Sequence, residues 1–147
     1  MKWVTRERPK TDRIACPWLI RRFIDPDAEI LYVPRDQVLA VAHSQSARSF
    51  DAPDAEFTHR NGKCTFEVLI EEFDLDGDRA LTRLARIVHA ADIDSELHTD
   101  PAGPGLLAIG LGGLEVEPDD DRLLDKASFV YDALYAWCRS HPSFRAQ

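Results

Sequence analysis

The sequence predicts an α+β fold, with a small mixed sheet in the N-terminal half covered by four or five helices. Short β-branched and aromatic runs that favour strands occur before Asn61-Gly62, whereas apolar residues at helical spacing dominate after it. The 147 residues, 44% of them hydrophobic, suffice for one core. We therefore expect a single domain over residues 1–147.

Three strands are expected in the first half. Residues 3–5 and 29–33 are rich in β-branched and aromatic side chains. Phe57 and His59 alternate with polar neighbours, which predicts a strand with both side chains on its inner face. Asn61-Gly62 then supplies a tight turn.

The helices are predicted from apolar spacing and from proline. One is expected to begin at Pro17 and end before Asp25-Pro26, and a shorter one to span residues 36–42. Residues 104–112 predict a short helix ended by glycine, and residues 119–139 a long one. Three apolar stripes mark the buried faces: Phe66, Leu69, Ile70 and Phe73; Leu81, Ala85 and Val88; and Leu123, Ala127, Val130, Leu134 and Trp137. Trp18, Phe23 and Tyr135 are also expected in the core.

The charge distribution bears on the partners. A net charge of −8 argues against direct nucleic-acid binding, which depends on Lys and Arg. Residues 1–22 nevertheless carry seven basic and two acidic groups, a local net charge of +5. This segment either attracts a small anion or is a solvated basic edge paired with acidic neighbours.

Cysteine usage and hydropathy indicate the compartment. Cys16, Cys64 and Cys138 are far apart, form no C-x-x-C pair and are interpreted as free thiols in a reducing environment. The N-terminus carries charge where a signal peptide would be apolar. The apolar stretch 103–114 is too short and glycine-rich to span a bilayer. We therefore expect a cytoplasmic protein without membrane association.

Polar side chains on apolar faces indicate a metal site. Asp92 falls between Val88 and Ala85 on its helical wheel, and His89, three residues earlier, lies at the edge of that face. A buried carboxylate needs a cation, a hydrogen-bond network or a metal.

Two further residues complete the predicted ligand set. His59 shares a strand face with Phe57, and Glu67 lies beside the Phe66 stripe. His59, Glu67, His89 and Asp92 together suit zinc, manganese or iron(II). The alternatives are that His59 is a core imidazole bonded to backbone or to Asp92, and that Glu67 is a carboxylate stabilised by the helix dipole.

Cys16 is a candidate reactive thiol. At a helix that begins at Pro17, the helix dipole and nearby Arg13 would lower the pKa of this thiol. The alternative is a small side chain packed in the core. His43, His98 and His141 lie in polar segments and are expected to face solvent.

Four blocks of the sequence resemble the C-terminal domain of the ChrB chromate-resistance proteins. They are WVTRERPKTDRIACPWLIRRFIDPDAEILYVP, FTHRNGKCTFEVLI, LARIVHAADID and YDALYAW, in the order of the family. The resemblance implies a role in chromate or heavy-metal resistance, and the recurrent family residues fall on His59, Glu67, His89 and Asp92. Full-length ChrB carries a further N-terminal region, thought to bind DNA. This chain is acidic and begins near the start of the resembling segment, so we expect no direct promoter repression.

Three classes of function remain open. A metal-binding sensor or accessory protein would bind an oxyanion such as chromate, with Arg13, Arg21 and Arg22 as donors. A manganese or iron enzyme would reduce chromate or handle superoxide, with Cys16 as an electron donor. A structural domain would use its metal only to stabilise the fold.

Overall fold

The structure, a computed structural model, describes residues 1–141 and confirms the α+β class. The strands are β1 (Lys2–Arg6), β2 (Glu29–Val33) and β3 (Arg48–Ser49). The α-helices are α1 (Asp12–Leu19), α2 (Val38–Ser44), α3 (Thr65–Glu72), α4 (Arg79–Asp92), α5 (Gly103–Val116) and α6 (Asp120–Ser140). A π-helical turn (Ile20–Ile24) extends α1, and 3₁₀ turns precede α2 (Arg35–Gln37) and α5 (Asp94–Thr99).

The sheet is parallel, with strand order β2-β1-β3. Lys2 pairs with Glu29 at one end of the β1–β2 ladder, and Arg6 pairs with Val33 at the other. The expectation of a mixed sheet was wrong. A helix lies in each connection between strands, α1 in the first and α2 in the second, and it returns the chain to the same end of the sheet.

Helices cover both faces of the sheet. Trp3 and Ile30 project into the larger core, which the helices other than α2 build. Val4 projects to the opposite face, where it packs with Val38 of α2. The sheet therefore lies between a thin layer and a thick one, and its central strand β1 is buried on both faces.

The strand order places one edge of the sheet at a topological switch point. The chain leaves β1 for β2 on one side and then crosses to β3 on the other. The carboxyl ends of β1 and β3 therefore lie side by side, with α1 leaving one and a loop leaving the other. Ligand sites in open parallel sheets occur at such points.

Helix α1 begins at Asp12, not at the predicted Pro17, which lies inside the helix. A proline there has no N–H to donate to the carbonyl of Arg13, four residues earlier. The Tyr32 hydroxyl donates to that oxygen instead, at 2.8 Å. This tertiary hydrogen bond lets the helix pass through the proline.

The other predictions for the first half gave mixed results. The strands at 3–5 and 29–33, the helical segment at 36–42 and the Asn61-Gly62 turn are confirmed. The strand predicted around Phe57 and His59 is wrong. Phe57 forms an isolated parallel bridge with Phe50, and Arg60 forms an isolated antiparallel bridge with Lys63, so no continuous strand runs through His59.

The predicted buried faces of α3 and α4 are confirmed, with Phe73 half-buried beyond the end of α3. Helix α5 continues past the predicted stop at Gly112. Its first residue, Gly103, packs so closely on α4 that a Cβ there would lie 2.8 Å from Ala90 Cβ.

Helix α6 confirms the predicted length but not all of its buried face. Trp18 is buried and packs against half-buried Phe23 and Tyr135, as predicted. Trp137 is 42% exposed instead of buried, with its ring over the guanidinium of Arg83. His43, His98 and His141 are exposed, as expected.

Arg83 and Asp100 form an ion pair inside the helical layer. Arg83 Nη1 lies 2.6 Å from Asp100 Oδ2, and both side chains are buried. Asp100 also accepts a hydrogen bond from the Ala102 N–H at the start of α5. The pair therefore joins α4 to α5. Within residues 1–141, no helix is long and apolar enough to cross a membrane.

We predict that Asp100→Ala lowers the free energy of unfolding by about 3 to 5 kcal/mol, because it leaves the Arg83 charge buried without this carboxylate. Urea unfolding followed by circular dichroism measures the change. Glu71→Ala is the matched control, since Glu71 pairs with Lys63 on the surface and its loss should leave the midpoint near that of the wild type. Equal midpoints for Asp100→Ala and the wild type would contradict the prediction.

Candidate metal centre

Three carboxylates converge on one imidazole at the switch point. His59 Nε2 lies 3.0 Å from Asp92 Oδ2, 3.3 Å from Asp12 Oδ2 and 3.4 Å from Asp51 Oδ1. Asp12 and Asp51 are buried, Asp92 is largely buried, and the His59 side chain is 45% exposed. His59 therefore covers a buried acidic cluster from the solvent side, and is not the inward-facing strand residue that was predicted.

Asp12 is held by the N-terminus of α3. Its Oδ2 accepts the Thr65 N–H at 2.7 Å and its Oδ1 accepts the Phe66 N–H at 3.1 Å. These are amides that a helix leaves without partners in its first turn, and the helix dipole there favours a negative charge. The contact ties the beginning of α1 to the beginning of α3.

Asp51 lies just beyond β3 in a left-handed conformation, with φ 48°. The Thr65 hydroxyl donates to its Oδ1 at 2.8 Å. On the other side, Arg6 Nη2 and Arg13 Nε lie 3.4 and 3.5 Å from its Oδ2. Both arginines therefore balance the same carboxylate.

Asp92 is the last residue of α4, and the Thr11 hydroxyl donates to its Oδ1 at 2.7 Å. Its Oδ2 is left to face His59. The prediction that the Asp92 carboxylate points to the buried side of the helix is confirmed.

The pKa values follow from this crowding. Hydrogen bonds to Asp12, Asp51 and Asp92 raise the pKa of His59 to about 12. Burial raises the pKa of Asp12 to about 7, even though the hydrogen bond from His59 lowers it. Burial also raises the pKa of Asp51, but hydrogen bonds from His59 and Thr65 and the charge of Arg6 outweigh it, so this pKa is lowered.

One imidazole N–H is shared among three carboxylates, and the direct contacts of Arg6 and Arg13 are to Asp51. Within the described residues 1–141, the other hydrogen-bond donors to Asp12 and Asp92 are neutral. The ligand atoms of Asp12, His59 and Asp92 lie within 4.8 Å of one another. Two carboxylates and an imidazole with this spacing fit a divalent transition metal.

The structure divides the four predicted ligands between two groups. His59 and Asp92 belong to the acidic cluster. Glu67 and His89 form a second group with buried Cys64, in which His89 Nδ1 lies 2.5 Å from Glu67 Oε1. His89 and Asp92 separate because residues three apart on a helix point about 60° from each other and differ by about 4.5 Å in height.

The three predicted anion-binding arginines lie apart. Arg13 borders the acidic cluster through Asp51. The Arg21 Nε–H donates to the carbonyl oxygen of Ala28, and Arg22 pairs with Asp132 near Trp18. A different arginine, Arg35, lines a cleft of about 230 Å³ beside His59, together with Arg6.

Cys16 does not have the environment that was predicted for a reactive thiol. It lies within α1, fully buried, with its Sγ 3.7 Å from Asp12 Oδ1. Burial and the nearby carboxylates raise the pKa of this thiol well above its usual value, opposite to the expected lowering. Cys16, Cys64 and Cys138 are all free and buried.

Sequence reasoning missed Asp12 and Asp51. Asp12 stands one and two turns before Cys16 and Leu19 on the buried face of α1, which is the same signal that revealed Asp92. It was overlooked because the helix was expected to begin at Pro17. Asp51 follows a strand of two residues and carries no periodic signal.

Comparisons with known proteins agree with the resemblance of the four sequence blocks. The profile of the family described as ChrB, C-terminal domain, matches residues 3–138. Protein ChrB of Cupriavidus metallidurans is 39% identical over 134 residues, which cover 91% of this chain and 40% of that protein. The chain thus spans less than half the length of this curated relative, and no solved structure matches it significantly. The chain belongs to the ChrB C-terminal domain family.

Proposed function

We propose that this chain is a metal-binding domain that takes part in resistance to chromate or other heavy metals. Asp12, His59 and Asp92 would hold one divalent ion, with Asp51 beside it. The convergence of three carboxylates on His59 Nε2 is the observation that carries the proposal. Family membership supports the link to resistance.

The donor set favours certain metals. Two carboxylates and an imidazole suit manganese, iron(II) or zinc, and the oxygen-rich surroundings favour manganese or iron(II) over a thiolate-bound zinc site. The bound ion would take the place of the proton that His59 shares with the carboxylates. A dication would also balance Asp12 and Asp92, whose contacts in the described part of the chain include no arginine.

A small oxyanion is the ligand that the surroundings of the site favour. The cleft beside His59 is lined by Arg6, Arg35 and Asp51, and Asp51 already pairs with Arg6, so Arg35 would be the main donor to a tetrahedral oxyanion. Arg6 and Arg35 therefore replace Arg21 and Arg22 in the proposed anion site, and Arg13 stays at its edge. The domain would act as a sensor or accessory protein.

The alternative of a redox enzyme has weaker support. Its proposed electron donor, Cys16, is fully buried and its thiol pKa is raised. Both properties disfavour the thiolate. We therefore prefer binding over catalysis.

We predict that the wild-type chain, purified without a histidine tag, binds Mn²⁺ or Zn²⁺ and that His59→Ala and Asp92→Asn weaken that binding by at least tenfold. Each substitution removes one ligand while leaving the α3 amides on Asp12. Isothermal titration calorimetry measures the affinity, and elemental mass spectrometry measures the metal content.

His43→Ala is the matched control, because His43 is an exposed imidazole on α2. His89→Ala should keep the ion, since His89 Nδ1 faces Glu67 in the second group. Loss of the ion in His89→Ala but not in His59→Ala would move the site to Cys64, Glu67 and His89. No binding by the wild type would overturn the proposal.

Metal affinity should rise with pH. The proton on His59, whose pKa is about 12, must leave when the ion binds. The apparent metal affinity should therefore increase with each unit of pH until the pH reaches that pKa. Asp12, with a pKa of about 7, becomes protonated as the pH falls through 7 and weakens binding further. Calorimetry at pH 6, 7 and 8, in buffers of different ionisation enthalpy, gives the affinity and the protons released. An affinity independent of pH, with no proton release, would contradict this prediction.

A further inference from the structure

Thr11 has a backbone conformation that β-branched residues rarely adopt. Its φ and ψ angles are 44° and −109°, and the residue is buried. These angles are near those of the first central position of a type II′ turn, where glycine predominates because it has no Cβ. A threonine at this position is strained, and its side chain needs an explanation.

Local contacts account for the backbone of Thr11 but not for its hydroxyl. Its carbonyl oxygen accepts the N–H groups of Ile14 and Ala15 at 3.0 and 2.8 Å, and the Tyr131 hydroxyl at 3.2 Å. A glycine would offer the same carbonyl with less strain. A glycine would lack the Cγ2 methyl, which lies near Gly110, and the hydroxyl, which donates to Asp92 Oδ1 at 2.7 Å.

That hydrogen bond orients the Asp92 carboxylate within the cluster of Asp12, His59 and Asp92. Asp92 is the last residue of α4, and its backbone is followed by extended chain at Ile93. The Thr11 hydroxyl occupies Oδ1 and leaves Oδ2 facing His59 Nε2 at 3.0 Å. The side chain of Asp92 is therefore oriented from the beginning of α1, the helix that also carries Asp12.

We propose that Thr11 is a positioning residue for the metal centre, whose strained backbone is retained because its hydroxyl orients the Asp92 carboxylate toward the ion. This inference rests on the proposed function. Threonine hydroxyls that orient metal-binding carboxylates contribute to affinity although they do not touch the ion. Their loss typically weakens binding by about 10- to 100-fold.

The test compares Thr11→Gly, Thr11→Val and Thr11→Ser with the wild type, using Mn²⁺ affinity by calorimetry and the thermal midpoint of the metal-free chain. Thr11→Gly relieves the strain but removes the hydroxyl. We expect it to weaken binding by about 10- to 100-fold while the midpoint changes little. Thr11→Val should lose a similar factor, and Thr11→Ser should recover most of the wild-type affinity.

Two matched controls separate orientation from folding. Tyr131→Phe removes the hydrogen bond from the Tyr131 hydroxyl to the Thr11 carbonyl but keeps the Thr11 hydroxyl. Thr82→Val removes an exposed threonine hydroxyl on α4. Both should bind Mn²⁺ like the wild type. Unchanged affinity in Thr11→Gly and Thr11→Val would overturn the inference while leaving the proposed function intact. A wild type that binds no ion would overturn both.

Discussion

The structure depends on keeping three carboxylates together in a space that is largely closed to water. Burying even one carboxylate is costly, and like charges at this distance repel each other. The chain offsets this cost with two amides of α3, the hydroxyls of Thr11 and Thr65, two arginines and one imidazole. These groups come from β1, the beginning of α1, the loop that carries His59 and the beginning of α3, so these segments are held in fixed relative positions.

The cationic side chains are distributed unevenly among the three carboxylates. Arg6 and Arg13 both contact Asp51, so this carboxylate has the role of a structural anion. Among residues 1–141, His59 is the one cationic group at ion-pair distance from Asp12 and Asp92. A buried pair of carboxylates with one imidazole between them supports the proposed cation site, and the partial exposure of His59 would give the proposed ion a route from solvent.

Much of this arrangement was predictable from single helices, and little of it from the loops. Asp92 was found because its side chain had to lie on the apolar face of α4. The same reasoning would have found Asp12, had Pro17 not been taken as the helix start. The hydrogen bond from Tyr32 that permits this proline is a tertiary contact, and local sequence carries no sign of it.

The remaining differences have a similar origin. His59 was placed on a strand because it alternates with polar residues, but β3 is too short to pair with it. Glu67 and His89 were grouped with His59 because spacing along the chain does not reveal that the His89 Nδ1 faces Glu67 and not the acidic cluster. Two neighbouring groups of ligands therefore looked like one. The all-parallel sheet follows from the helices that lie between its strands, but the third strand was predicted around Phe57 and His59 and not at residues 48–49.

Anomalous diffraction from a crystal of the chain grown with Mn²⁺ tests the central claim most directly, because it locates the ion without reference to any variant. We expect one strong peak about 2.0 to 2.2 Å from Asp12, His59 and Asp92, the usual distance for oxygen and nitrogen ligands. A peak between Glu67 and His89 with none beside His59, or no peak at either group, would contradict the account.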